Sequence, residues 1–165
     1  MERELADEKF RSEQRYDIIA LDAFSSDAIP AHLITAEAFE VYSQYTKPGG
    51  VVAFHISNRY IDLVPVVMGL IENTDWRPLL IEHFDIGNGG LHTASSDWIL
   101  LSRDTALLDE IQAYLQQRRE LGDRSSIAYV PDMQGQPTIR WTDRFSNLFQ
   151  VLHSPDDYNP ETAGR

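Results

Sequence analysis

Residues 16–50, YDIIALDAFSSDAIPAHLITAEAFEVYSQYTKPGG, contain the signals that decide the fold. The stretch begins with the apolar run IIAL at 18–21, which is typical of a strand buried on both faces of a parallel sheet. A loop with two carboxylates and a helix over about 36–46 follow. The segment KPGG at 47–50 then predicts the end of the helix and a turn into a second strand. The order strand, helix, strand indicates an α/β domain.

The helix over 36–46 has a predicted start and a predicted buried face. Thr35 is the expected N-cap, and Glu37 is a favourable charge in the first turn. Apolar side chains recur at spacings of three and four and predict one buried stripe. The residues of that stripe are Ala38, Val41, Tyr42 and Tyr45.

The rest of the chain continues the alternation of strands and helices. Strands are expected over 51–56, 77–84 and 97–102, the last two as an antiparallel pair, and helices over 2–14, 63–73 and 105–121. The polar, glycine-rich segment 85–96 is a predicted connection, and 140–152 is expected to dock on the domain. We therefore predict a single domain over 1–152 and a flexible tail over 153–165.

Composition excludes several classes of protein. The 26 acidic and 14 basic residues give a net charge of −12, which argues against nucleic-acid binding because that needs a basic surface. The absence of cysteine excludes disulfides, thiolate nucleophiles and cysteine-containing zinc sites. No apolar run approaches the roughly 20 residues that span a bilayer, and the charged start is unlike a signal peptide. These features predict a cytoplasmic protein with no membrane segment in this chain.

Polar side chains follow two of the predicted strands. Asp22 ends the first strand, and Asn58 and Tyr60 follow the second, at the edge of an α/β sheet where ligands bind. Asn58 and Tyr60 are therefore candidate lining residues of a pocket. Asp27, in the loop after Asp22, is either a second functional carboxylate or ordinary turn chemistry. The five histidines lack metal-ligand spacing, so no metal site is predicted. Neither a G-x-G-x-x-G turn before the first strand nor a G-x-S-x-G serine elbow is present.

The string YDIIALDAFSSDAIPAHLITAEAF, followed by KPGG and HISNRYIDL, resembles the spermidine synthase-like (polyamine aminopropyltransferase) family. It is similar to the bacterial branch that is often fused behind a transporter-like membrane region. The later segments GGLHTASSDWILLSR and WTDRFSNLFQVL resemble the end of the same domain, so the resemblance covers about 16–152. KPGG alone is common, whereas DAFSSDAIP, HISNRY and TDRFSN together are much more specific.

The resemblance implies a fold and a reaction. The fold is the Rossmann-like, three-layer sandwich of class I S-adenosylmethionine-dependent methyltransferases. The reaction moves an aminopropyl group from decarboxylated S-adenosylmethionine, a co-substrate rather than a tightly bound cofactor, to a diamine such as putrescine. By resemblance, Asp22 is the base that helps to deprotonate the attacking amine, and Asp27 helps to hold the diamine.

The sequence also departs from the family pattern. The usual loop runs Asp-Ser-Ser-Asp-Pro, whereas Ala23 and Phe24 are inserted here and Ala28 replaces the proline. Arg144 stands where relatives often carry a second aspartate. The first three strands of the fold, which build the nucleotide site in the family, are expected to be absent. The residues that bind the co-substrate therefore stay unassigned.

An incomplete sheet would leave the edge and both faces of the first strand open, which is a template for association. We therefore expect self-association or pairing with a separate amino-terminal half. Three functions stay open at this point. They are an aminopropyltransferase that needs the missing half, a class I methyltransferase with an unknown acceptor, and a non-catalytic remnant or interaction domain.

Overall fold

The structure, a computed structural model, describes residues 15–22, 30–58, 60–84 and 95–152. Its strands are β1 Tyr16–Leu21, β2 Thr46–His55, β3 Arg77–His83, β4 Ser96–Ser102 and β5 Ser126–Tyr129. Its α-helices are α1 Ala36–Tyr45, α2 Val64–Ile71 and α3 Thr105–Glu120. Two 3₁₀ turns, Ala31–Leu33 and Leu148–Val151, complete the regular structure of these residues. The helix predicted over 2–14, most of the connection over 85–96 and the tail over 153–165 lie outside the described residues.

The five strands form one open sheet in the order β1-β2-β4-β3-β5. Strand β1 pairs with β2 in parallel, and α1 connects the two. Strand β4 is antiparallel to both β2 and β3, and β5 is antiparallel to β3. The α/β class and the antiparallel pairing of β3 with β4 are thus confirmed. The sequence did not indicate that β4 inserts between β2 and β3, nor that β5 exists.

The KPGG segment corrects the predicted boundary between the first helix and the second strand. Helix α1 ends at Tyr45, and β2 begins at once with Thr46 and includes the segment 47–50. Thr46 pairs with Tyr16, and the register shifts before the regular pairing continues along β1. Gly50 permits this contact, because a Cβ there would lie 2.8 Å from the carbonyl oxygen of Asp17. The segment 47–50 is part of β2 but lies at the irregularity between the pairs Tyr16–Thr46 and Ile18–Val51, and the regular pairing begins at Val51.

The main core lies on one face of the sheet. Alternate residues of a strand point to the same face, and those of β2 and β4 on this face pack under α1 and α2. Four apolar residues of α2 are buried in this core. They are Val66, Val67, Leu70 and Ile71. Val51, Ala53 and Leu79 are buried outside this cluster, as is Leu108 of α3, which contacts β3, β4 and β5.

The apolar stripe predicted for the helix over 36–46, which is α1 in the structure, is wrong in its central part. The buried residue of α1 is Phe39, which packs against Phe54 and Trp76 with ring centroids 6.4 and 5.3 Å away. Val41, predicted to be buried, is 49% exposed. The aromatic contacts of Phe39 orient the helix, so a stripe chosen from spacing alone was displaced. The predicted N-cap is confirmed, since Thr35 Oγ1 accepts the Ala38 N–H at 3.2 Å.

The segment 140–152 docks on the domain, as predicted. Trp141 is fully buried, and its carbonyl oxygen accepts the N–H of Ala36 at the start of α1 at 2.9 Å. Just before it, the Ile139 N–H donates to the carbonyl oxygen of Pro65 in α2. Gly69 makes this approach possible, because a Cβ there would lie 2.2 Å from the Ile139 carbonyl oxygen. This segment therefore ties α1 and α2 together.

Strand β1 differs from the strand expected in a complete sheet. It is the end strand, with one neighbour among the described residues, and Ile18 is 66% exposed. The face with Ile18 and Ala20 is open, as the argument from an incomplete sheet predicted, whereas Leu21 on the other face packs against the core. In the described part of the chain, no helix combines the length and apolar character needed to cross a membrane.

Candidate functional site

The ends of several strands meet at one edge of the sheet. Strands β1 and β2 are parallel, so Asp22, directly after β1, lies beside His55, the last residue of β2. Strand β4 runs the other way, so its first residues, including Asp97, reach the same edge. Glu82, near the end of β3, pairs with Asp97 there. The topology thus gathers three carboxylates and an imidazole at the carboxyl end of the parallel pair.

Asp22 and His55 form the central contact of this edge. The Asp22 Oδ1 lies 2.7 Å from Nδ1 of His55, which is hydrogen-bond distance. The Asp22 side chain is 66% exposed, whereas that of His55 is 21% exposed. The ring of Trp98 stacks on the imidazole, with centroids 4.8 Å apart and planes 20° apart. The carboxylate is therefore open to a ligand while its imidazole partner is enclosed.

A serine continues the hydrogen bonds behind the imidazole. Nε2 of His55 lies 2.9 Å from the Oγ of Ser57. The same Oγ accepts the backbone N–H of Asp97 at 2.6 Å. The carbonyl oxygen of Asp97 in turn accepts the Ile56 N–H at 2.8 Å. A continuous chain of contacts therefore connects the backbone of β4 to the exposed Asp22 carboxylate.

The edge has a negative electrostatic character. Burial raises the pKa of Asp97, and the charge of Glu82 opposite raises it further, whereas His55 lowers it. The Tyr129 hydroxyl donates to Glu82 Oε1 at 2.9 Å. Its own pKa is raised, first by burial and then by this contact with Glu82. Carboxylates concentrated at one edge favour a cationic ligand over an anionic one.

Asn58 and Tyr60 follow β2 in a turn. The Asn58 Oδ1 accepts the backbone N–H groups of Tyr60 and Ile61 at 2.9 and 3.1 Å, so this side chain has a local structural role. The Tyr60 side chain is 60% exposed. Their predicted role as lining residues of a pocket stays a prediction. The second candidate carboxylate, Asp27, lies outside the described residues.

The terminal motif TDRFSN contributes its aspartate to a structural contact. The Thr35 hydroxyl donates to Asp143 Oδ1 at 2.7 Å, while it caps α1. The Asp143 backbone N–H donates to Glu37 Oε2 at 3.1 Å. Glu37 is thus more than a helix-start charge, because it also accepts from the docked segment. The motif fastens 140–152 to the start of α1.

Sequence reasoning missed His55, Ser57 and Asp97 as members of this edge. A signal for His55 was available in the lengths of two apolar runs. Ile18 pairs with Val51 and Leu21 pairs with Phe54, which puts the next residues, Asp22 and His55, side by side. For Asp97 no comparable signal existed, since its place depends on the insertion of β4 beside β2.

No protein-family model matches the chain, and no curated protein matches it. In the ranges 15–22, 30–58, 60–84 and 95–152, no three His, Asp or Glu side chains are grouped so as to hold a metal ion. The edge therefore presents the exposed carboxylate of Asp22, which is held by the hydrogen bond with His55 and lies near further carboxylates.

Proposed function

We propose that this chain is the amine-binding part of a transferase of the polyamine aminopropyltransferase type, with Asp22 as the base. The observation that carries the proposal is the exposed Asp22 carboxylate, which lies at the ligand edge of the parallel pair and is held by His55. The acceptor is a diamine such as putrescine, and Asp27 is the second carboxylate proposed to hold it. A cytoplasmic location is part of the same proposal.

The chemistry requires little from the protein beyond position and charge. An alkylammonium group, with a pKa near roughly 10, cannot attack carbon until it loses a proton. A carboxylate at hydrogen-bond distance binds this ammonium, orients it and accepts the proton. The amine nitrogen then forms a bond to the methylene next to the sulfonium of decarboxylated S-adenosylmethionine. The C–S bond breaks, its electron pair stays on sulfur, and methylthioadenosine leaves.

The topology of the sheet supports the proposal. The parallel pair β1–β2, connected by α1, is a strand-helix-strand unit, as expected of the class I methyltransferase fold that the sequence resemblance implies. In a complete domain of that fold, β1 would be central and would have neighbours on both sides. The exposed edge of β1 therefore supports pairing with a nucleotide-binding half or with a second copy.

The other two functions keep their place as alternatives. A class I methyltransferase shares the fold but does not need a concentration of carboxylates at the amine side, so the acidic edge favours aminopropyl transfer. A non-catalytic domain would keep the structural contact between Thr35 and Asp143 and would give no product with or without Asp22.

The proposal is tested by product formation. The purified full-length chain is incubated with decarboxylated S-adenosylmethionine and putrescine, and methylthioadenosine and spermidine are measured by mass spectrometry. Product requires a complete site, so we expect it from the self-associated wild type and expect its loss in Asp22→Asn, which keeps the shape but removes the base. Asp17→Asn is the matched control, because Asp17 is an exposed carboxylate at the other end of β1, paired with Lys47. Absence of product from the wild type, with no thermal shift from methylthioadenosine, would contradict the proposal for this chain.

A further inference from the structure

We infer that His55 is the positioning residue of Asp22: its neutral imidazole, with Ser57 at Nε2, carries its proton on Nδ1 and donates it to the Asp22 carboxylate. The effect of this contact on aminopropyl transfer rests on the proposed function. The position of the proton on the imidazole does not, since it follows from the hydrogen bonds alone.

The tautomer follows from counting donors and acceptors along the chain of contacts. In a neutral imidazole one ring nitrogen is a donor and the other an acceptor. An ionised carboxylate only accepts, so Nδ1 of His55, which lies 2.7 Å from Asp22 Oδ1, carries the ring proton. Nε2 of the neutral ring is then the acceptor. The Ser57 hydroxyl, whose oxygen accepts the Asp97 N–H at 2.6 Å, therefore donates its hydrogen to Nε2.

The surroundings of the imidazole keep this orientation. Trp98 stacks on one face of the ring, and Ser57 and Asp22 contact its two nitrogens. Rotation of the ring would break both hydrogen bonds and the stack together. One oxygen of Asp22 is thereby fixed by a charge-assisted hydrogen bond, while the exposed part of the carboxylate remains available to an ammonium group. The arrangement orients the base before the substrate binds.

The same three groups occur in Asp-His-Ser hydrolases, but their exposure is reversed here. In those enzymes the aspartate is buried behind the histidine, and the serine meets the substrate. Here Asp22 is 66% exposed, while the Ser57 Oγ already accepts the Asp97 N–H from β4. Of the three hydrogen-bonded groups, the one that a ligand can reach is therefore the Asp22 carboxylate. Ser57 orients His55 rather than acting as a nucleophile.

The first test measures the tautomer directly. The full chain is labelled with ¹⁵N-histidine, and two-bond ¹H–¹⁵N correlation spectra are recorded at a pH where the imidazole is neutral. The His55 signal is assigned by its absence from His55→Asn. We expect the Nδ1–H tautomer in the wild type and a gain of the Nε2–H form in Asp22→Ala, which removes the acceptor at Nδ1 and leaves the Ser57 oxygen able to accept from Nε2. An Nε2–H tautomer in the wild type would overturn the inference, whatever the activity.

The second test separates positioning from a merely structural role. An asparagine side chain places its amide N–H near the position of Nδ1, whereas glutamine places it near that of Nε2. His55→Asn is therefore expected to retain transfer, and His55→Gln to lose roughly 10- to 100-fold in kcat, as for other groups that orient a functional side chain. The KM for the diamine is expected to change less than kcat in both variants.

Thermal unfolding of both variants shows that they are folded before their rates are compared. Equal loss of kcat in the two variants, or a change confined to KM, would overturn the positioning role. A wild type without transferase activity would contradict the proposed function, and the tautomer measurement would still decide the inference about His55.

Discussion

Strands β1 and β2 are adjacent and parallel and have similar apolar runs, IIAL and VVAF, yet the surroundings of the two runs differ. Both contain an apolar run that ends next to a polar side chain, Asp22 after β1 and His55 in β2. In β2 the run is buried, with Phe54 fully covered. In β1 the run is largely open, and Ile18 is 66% exposed. An apolar run thus indicates which side chains of a strand can be buried, whereas the position of the strand in the sheet determines whether they are.

The difference also separates two tasks within the site. Strand β2 lies between β1 and β4, so His55 is held by neighbours on both sides, including Trp98. Strand β1 has a neighbour on one side among the described residues, and Asp22 remains exposed at its end. The covered strand β2 contributes His55, which orients the carboxylate. The open strand β1 is followed by Asp22, the carboxylate that is proposed to meet the ligand. This division agrees with the proposal that a nucleotide-binding half or a second copy pairs with β1 and completes the site.

The largest expected effect on stability comes from shortening a buried side chain of β2. Phe54→Ala removes a fully buried ring that contacts Phe39 and Tyr42, so we expect it to lower the free energy of unfolding by roughly 3–5 kcal/mol. Ile18→Ala, on the exposed strand, is the matched control and is expected to change it by less than about 0.5 kcal/mol. Urea denaturation of both variants measures the difference. Equal losses would mean that Ile18 is covered in solution.

A smaller effect on stability is expected from Asp97, which lies in β4 next to β2. Burial and Glu82 raise the pKa of Asp97 above its ordinary 3.8, so the native state binds this proton more tightly than the unfolded chain. The free energy of unfolding therefore falls as the pH rises from about 3.8 through the raised pKa, and the cost is complete above it. This part of the pH dependence is expected to be absent from Asp97→Asn, which keeps the backbone N–H that contacts Ser57.

Urea denaturation of the wild type and Asp97→Asn between pH 3 and pH 8 measures that effect. The stability of the variant relative to the wild type is expected to increase with pH through the window and then to remain constant. A difference that does not change with pH would show that the environment of Asp97 does not penalise its charge.

Local patterns predicted much of this fold. The strand at 18–21, the Thr35 cap and the helix over 63–73 each depend on neighbours in sequence, and each was found where it was expected. The predicted burial of both faces of that strand was wrong, since Ile18 is exposed. The errors arose where a distant contact decides. KPGG has the composition of a turn but extends β2, because Thr46 pairs with Tyr16. Phe39 rather than Val41 is buried, because Phe54 and Trp76 lie under that side of the helix.

The candidate site followed the same rule. Asp22 was predicted from the end of an apolar strand, which is a local signal. Its contact with His55 depends on the parallel register, and the support from Ser57 depends on β4 being inserted next to β2. Long-range pairing of this kind has no signature in the residues themselves. The sequence therefore predicted the exposed acid of the site without the covered side chains that hold it.

The smallest effect on stability, and the sharpest test of the open strand, is expected from a charge on β1. Ile18→Lys places an ammonium on an exposed position of an end strand, so the free energy of unfolding is expected to change by less than about 0.5 kcal/mol. Edge strands with charged side chains resist pairing with other chains, so the variant is expected to associate less than the wild type. Light scattering over a range of concentrations measures this. Val41→Lys is the matched control, since Val41 is an exposed apolar residue on α1, away from the strand edge. A wild type that remains a monomer at all concentrations would argue that β1 is open without a second copy, and would leave a separate amino-terminal half as its partner.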